Sequence, residues 1–142
     1  MEKKGMTMSA DVDRLKAVKP LASRDHMAAG LKAFFALADH WHLNAEQARI
    51  LLGQPSERTF YNWKGGKVGS PSHDTMSRIG YLLGIHRALR TLFSNPENVY
   101  GWISQKNDDF KGQTPLQRML GGDLTDVAYV RQYLDALRGG WV

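Results

Sequence analysis

The side chains with the clearest chemical use lie between Ser56 and Lys67, in the run SERTFYNWKGGK. Phe60 and Trp63 stand three apart, so on a helix they share one face; the opposite face then carries Arg58, Thr59, Tyr61 and Asn62, with Glu57 at its start. These residue types can read base edges. Arg grips guanine through two hydrogen bonds, Asn pairs with adenine, and the Thr methyl meets the thymine methyl, while Tyr61, Lys64 and Lys67 suit phosphate oxygens. Glu57 ranks below Arg58 and Asn62 as a contact, because phosphates repel a carboxylate unless it accepts from a cytosine amine. Arg49, on the preceding segment, is a candidate phosphate brace or a plain surface residue. The alternative for the whole set is a helical hairpin whose polar face is merely solvated.

Other chemistry is poorly supplied. His26, His40, His42, His73 and His86 are scattered, the close pair His40 and His42 points to different helix faces, and none has a carboxylate at ligand spacing, so no metal site is expected. Asp108 and Asp109 are adjacent in a loop instead of forming a spaced acid/base pair. Gly65, Gly66 and Gly69 follow a helix where a phosphate cradle would follow a strand. The absence of cysteine excludes disulfides, thiolate zinc sites and thiol nucleophiles. The chain therefore reads as a non-enzyme with no catalytic residue, no metal and no cofactor.

The elements that must position the polar run are helices throughout. Residues 1–22 are polar, basic and weakly periodic, and read as a flexible arm with at most a short helical turn. From Ala28 the residues Leu31, Phe34, Phe35, Leu37, Ala38 and Trp41 recur at helical spacing, ending near His40 to His42. Asn44 caps a second helix with Gln47 three residues on, Ala45, Ala48, Leu51 and Leu52 form its buried stripe, and Gly53 stops it. Pro55 and Ser56 open the third, which Gly65 and Gly66 close. Two helices around a tight Gly-containing turn, the second with an outward polar face, make a helix-turn-helix.

Beyond the Gly and Pro punctuated joint Gly65 to Pro71, Met76, Ile79, Leu82 and Leu83 mark one helix and Leu89, Leu92 and Phe93 another, with Gly84 between them as a bend or a tolerated interior glycine. Asn95 and Pro96 start a helix carrying Val99, Trp102 and Ile103. Asn107 to Gly112 reads as a polar loop. Thr114, Pro115 and Gln117 then cap a short helix with Leu116, Met119 and Leu120. The last helix begins near Thr125 and places Val127, Val130, Leu134 and Leu137 on a narrow seam, before Gly139 and Gly140 release a tail ending in Trp141 and Val142. Strand patterns and internal repeats are absent from the reading.

At 142 residues, 42% hydrophobic and 23% charged, the composition is that of a globular protein of one ordinary domain or two small ones. No apolar run approaches a membrane span and no segment has the form of a secretion signal, so a cytoplasmic location is expected. The net charge of +5 suits a nucleic-acid partner, and its excess is +2 over residues 1–22, +2 over 23–70 and +1 over 71–142. The basic bias thus lies mainly in the N-terminal half.

The stretch WISQKNDDFKGQTPLQRMLGG, with Trp102, Phe110, Gly112, Thr114, Pro115, Leu116 and Gly122, resembles the toxin-binding domain of the Xre/MbcA/ParS antitoxins. The stretch LNAEQARILLG, followed by the aromatic-rich helix with Trp63, is similar to the Xre-like helix-turn-helix that precedes that domain in the family. The resemblance covers residues 25–142. It implies an antitoxin that dimerises, represses its own operon on double-stranded operator DNA, and binds a RES-domain toxin that consumes NAD. It further implies that the C-terminal tail, here Arg138, Trp141 and Val142, approaches the toxin's cleft and blocks substrate entry.

The expectations are therefore an all-α chain, with an N-terminal helix-turn-helix bundle followed by a small helical toxin-binding and dimerisation domain. Its divisions are an arm over 1–22, a DNA-binding domain over 23–68 and a toxin-binding domain with tail over 69–142. Trp102 is expected to pack in the core, and the Phe110 to Pro115 cluster to be architectural. The competing reading is a stand-alone helix-turn-helix regulator whose C-terminal half dimerises or senses a ligand; a third is an adaptor with a degenerate helix-turn-helix.

Overall fold

The computed structural model describes residues 24–139, and no strand occurs among them. The helices are α1 (residues 24–40), α2 (Ala45–Leu51), α3 (Glu57–Lys64), α4 (His73–Leu92), α5 (Pro96–Gly101), α6 (Pro115–Met119) and α7 (Leu124–Gly139), with 3-10 turns at Trp102–Ser104 and Asp108–Phe110. The all-α expectation holds. The expected arm over 1–22 and the tail residues Trp141 and Val142 lie outside the described residues.

Local chemistry explains most boundaries. Asn44 closes a reciprocal capping box, its Oδ1 accepting from the Gln47 N–H at 2.8 Å while Gln47 Oε1 accepts from the Asn44 N–H at 3.0 Å. Thr114 and Gln117 repeat the device at α6, with distances of 3.0 and 2.8 Å. Ser56, Ser72 and Asn95 cap α3, α4 and α5. At the end of α2 the Gly53 N–H donates to Ile50 and the Gln54 N–H to Arg49, and this arrangement needs the positive φ of +95° that glycine tolerates at 53. α1 ends in the same way through His42, at φ +56°, where the sequence offers no glycine as a stop signal.

The core is built around α4. Its Ile79, Leu82, Ile85, Ala88 and Leu89 are buried together with Leu31, Phe34, Leu37 and Trp41 of α1 and its boundary, and with Val127, Val130 and Leu134 of α7. Three details correct the sequence reading. The two helices expected on either side of Gly84 are a single 20-residue helix. An interior glycine costs about 1 kcal/mol against alanine, and the burial of α4 on both sides of it outweighs that. The seam on α7 ends at Leu134, because Leu137 is 55% exposed. The loop Asn107 to Gly112 contains a 3-10 turn capped by Asn107 and anchored by buried Phe110.

Candidate nucleic-acid interface and partner-binding half

α3 presents its two faces as the spacing requires. Phe60 and Trp63 are 2% and 7% exposed, and the Phe60 ring sits edge-on to Phe35 at 5.5 Å between centroids. This pins the helix on its inner side. Arg58, Tyr61 and Asn62, at positions i, i+3 and i+4, are then exposed on one outer face, with Tyr61 standing 55% free. Lys64 and Lys67 are exposed at the C-terminal end, where the Lys67 N–H donates to the Asn62 carbonyl at 2.7 Å. Glu57 is exposed in the first turn.

Two candidates take different roles from those expected. Thr59 is half-buried, and its Oγ1 accepts from the Ser56 hydroxyl at 3.0 Å, so its hydroxyl contributes to the cap of α3. Arg49 is not a free phosphate brace: its Nη1 donates to the Pro55 carbonyl at 3.0 Å and its guanidinium pairs with Glu46 at 3.2 Å. It ties α2 to the segment that leads into α3. Its position in the last turn of α2 made the Pro55 contact possible, but nothing in the sequence spacing signalled it.

The C-terminal half holds an aromatic cluster around Phe110. Trp102 lies 6.1 Å from both Phe110 and Tyr133, and Phe110 lies 4.9 Å from Tyr133 and 5.8 Å from Tyr129, between ring centroids. Trp102 is half-buried in this packing. The Tyr133 hydroxyl donates to Asp109 at 2.6 Å, and burial, followed by that carboxylate, pushes the phenol above its ordinary value. The Arg118 guanidinium stands 4.0 Å over the Tyr129 ring and bonds Asp126 at 3.1 Å. Tyr129 and Leu137 remain exposed, 39% and 55%. With Tyr133 they are spaced four apart along α7, a stripe leading toward the tail that sequence reasoning passed over although the spacing was visible. Arg138, the described member of the expected tail trio, is exposed and lies 3.6 Å from Asp135.

Two histidines pack on one tyrosine. His40 at the end of α1 stacks on Tyr100 of α5 at 4.4 Å, and His86 of α4 lies 5.4 Å from the same ring with its Nε2 3.3 Å from the Tyr100 hydroxyl. Burial holds His86 below the ordinary histidine value, and the charges of Arg90 and His40 act in the same direction. Among the described residues no group of three His, Asp or Glu side chains gathers to hold a metal. No helix among them is long and apolar enough to cross a membrane.

Comparison with known proteins agrees with this geometry in two places. Residues 20–84 match the family model of the antitoxin Xre-like helix-turn-helix domain, and residues 88–140 match that of the antitoxin Xre/MbcA/ParS C-terminal toxin-binding domain. The two matches meet within α4. A protein of Sinorhizobium fredii carrying the name uncharacterized protein y4oB is 41% identical over 126 residues, spanning 89% of this chain and 97% of that protein. No solved structure gives a match.

Proposed function

The chain belongs to the antitoxins that join an Xre-like helix-turn-helix to an Xre/MbcA/ParS toxin-binding domain, and from that premise we propose that it neutralises a NAD-consuming RES-domain toxin and represses its own operon. It works in the cytoplasm as a homodimer and acts by occupying sites, with no chemistry of its own. The observation that carries the reading is the presence of two sets of exposed side chains on two different helices of one chain. Arg58, Tyr61 and Asn62 stand outward on α3, while Tyr129, Leu137 and Arg138 stand outward on α7. The first set can enter a major groove, Arg58 and Asn62 reading bases while Tyr61, Lys64 and Lys67 hold phosphates and Thr59 fixes the start of the helix.

For the second surface, the tail Arg138, Trp141 and Val142 enters the toxin's cleft and keeps NAD out. Tryptophan and arginine are the side chains that most often dominate an interface when desolvated. The stripe of Tyr129 and Leu137 supports the docking that brings the tail there. The test is co-expression with the toxin gene that neighbours it. The expected outcome is restored growth, preserved cellular NAD and a complex that purifies intact. Failure to bind any neighbouring gene product overturns the reading and leaves a stand-alone regulator.

A further inference from the structure

We propose that Thr75, in the first turn of α4, is a positioning residue for DNA recognition: its hydroxyl holds the carbonyl at the end of α2 and so sets how α3 is presented. The inference rests on the operator-binding reading above. Reading base edges through two-bond contacts demands that a recognition helix be held within a fraction of an ångström; Phe60 and Trp63 pin the inner face of α3, and the turn that leads into it needs a hold of its own. Arg49 supplies part of that hold through the Pro55 carbonyl, and the rest comes from what lies behind the turn.

What lies behind it is α4. The last carbonyls of a helix have no partner within it. At the end of α2 the turn itself satisfies Ile50 and Arg49, through the N–H groups of Gly53 and Gln54. Leu52 is served from elsewhere, by the Thr75 hydroxyl at 2.9 Å, across 23 residues of sequence and with Thr75 only 5% exposed. The proton is directed there by a relay. Ser72, the cap of α4, donates its hydroxyl to Thr75 Oγ1 at 3.2 Å, which leaves the Thr75 proton free to point at Leu52.

The neighbouring contacts give the turn a seat with little slack. A Cβ at Gly53 would stand 3.0 Å from Asp74 Oδ2 and 3.2 Å from Arg78 Nε, so the backbone at 53 rests directly on the Asp74 and Arg78 pair, itself closed at 2.8 Å. On its other side the turn reaches the α6 to α7 connection, where a Cβ at Gly122 would lie 3.9 Å from the Gln54 amide. Of these contacts the Thr75 bond alone is directional and reaches the backbone at the end of α2, so together with the seat under Gly53 it limits how the turn can shift. One oxygen on α4 thereby orients a helix with which it shares no sequence neighbourhood.

The test is binding of the full chain to a duplex from immediately upstream of its own gene and to a shuffled duplex, for wild type, Thr75→Val and Thr75→Ser, with helix content followed by circular dichroism. Valine keeps the shape and removes the hydroxyl; serine keeps the hydroxyl. The expected result is that Thr75→Val binds the upstream duplex about tenfold more weakly, equivalent to about 1.4 kcal/mol. Binding to the shuffled duplex and helix content should be unchanged, and Thr75→Ser should recover most of the loss. Wild-type affinity in Thr75→Val overturns the proposal. So does parallel loss of both duplexes and of helix content, which would make Thr75 a core residue only. If wild type itself shows no salt-sensitive preference for the upstream duplex, the operator reading fails, and this inference with it.

Discussion

Gly84 of α4 lies directly beneath the guanidinium of Arg131 of α7, so close that a side chain at 84 would overlap its nitrogens. Arg131 is held there by Asp135 at 3.0 Å, and Asp135 is shared with Arg138. The glycine that reads as a bend or a tolerated interior glycine is the place where a charged side chain of α7 comes up against the backbone of α4.

That contact predicts strong coupling between positions 84 and 131. Alanine at 84 gains about 1 kcal/mol of helix propensity, but in the wild-type background it must displace the guanidinium from Gly84 and from Asp135. Removing the guanidinium first, with Arg131→Ala, removes the three atoms that a Cβ at 84 would meet soonest. Gly84→Ala should therefore be more stabilising in the Arg131→Ala background than in wild type, by about 1 kcal/mol in a denaturant-unfolding cycle. Strictly additive effects would contradict the packing described.

The outer face of α3 predicts two kinds of loss on DNA. Arg58→Ala and Asn62→Ala should each weaken operator binding by about 1–3 kcal/mol and relax specificity at the base they read. Lys64→Ala and Lys67→Ala should weaken binding to all sequences and each reduce the salt slope by about 1. Titrations over a series of salt concentrations separate the two. Equal effects of all four substitutions on specific and shuffled duplexes would mean that α3 does not read bases.

His86 predicts a direction for acid sensitivity. Its value in the folded chain is below the ordinary 6.5, so the unfolded chain binds more protons in that range and stability falls as pH drops through 6.5 toward the folded value. Above 6.5 this contribution is absent. Thermal melts at about pH 8 and about pH 5.5 should show a larger acid loss for wild type than for His86→Gln, which carries no titrating ring. An equal or larger loss in His86→Gln would contradict the environment described for that ring, against Tyr100, Arg90 and His40.

Where a boundary is set by neighbouring residues, the sequence was readable. The caps at Asn44, Ser56, Asn95 and Thr114 and the inner face of Phe60 and Trp63 all follow from spacing of three or four residues. What the spacing leaves open depends on contacts made outside the local helix. Gly84 reads as a bend or a tolerated interior glycine until Arg131 is seen against it, and Arg49 as a phosphate brace or a surface residue until the Pro55 carbonyl is seen to accept from it. Leu137 falls in phase with Leu134 but past the end of the surface it would cover, so it stays exposed. The Thr59 hydroxyl joins the cap for a local reason, since a residue three after a serine cap lies within reach of it.

Separate surfaces for separate partners are tested most directly by growth of cells expressing the neighbouring toxin alongside wild type, the Arg58→Ala/Asn62→Ala double variant, or a chain ending at Leu137, with upstream-duplex binding measured for each. The double variant should protect cells fully and lose operator binding, while the shortened chain should bind the operator and fail to protect. Loss of both activities in either variant, or full protection by the shortened chain, would contradict the division of labour between α3 and the C-terminal tail.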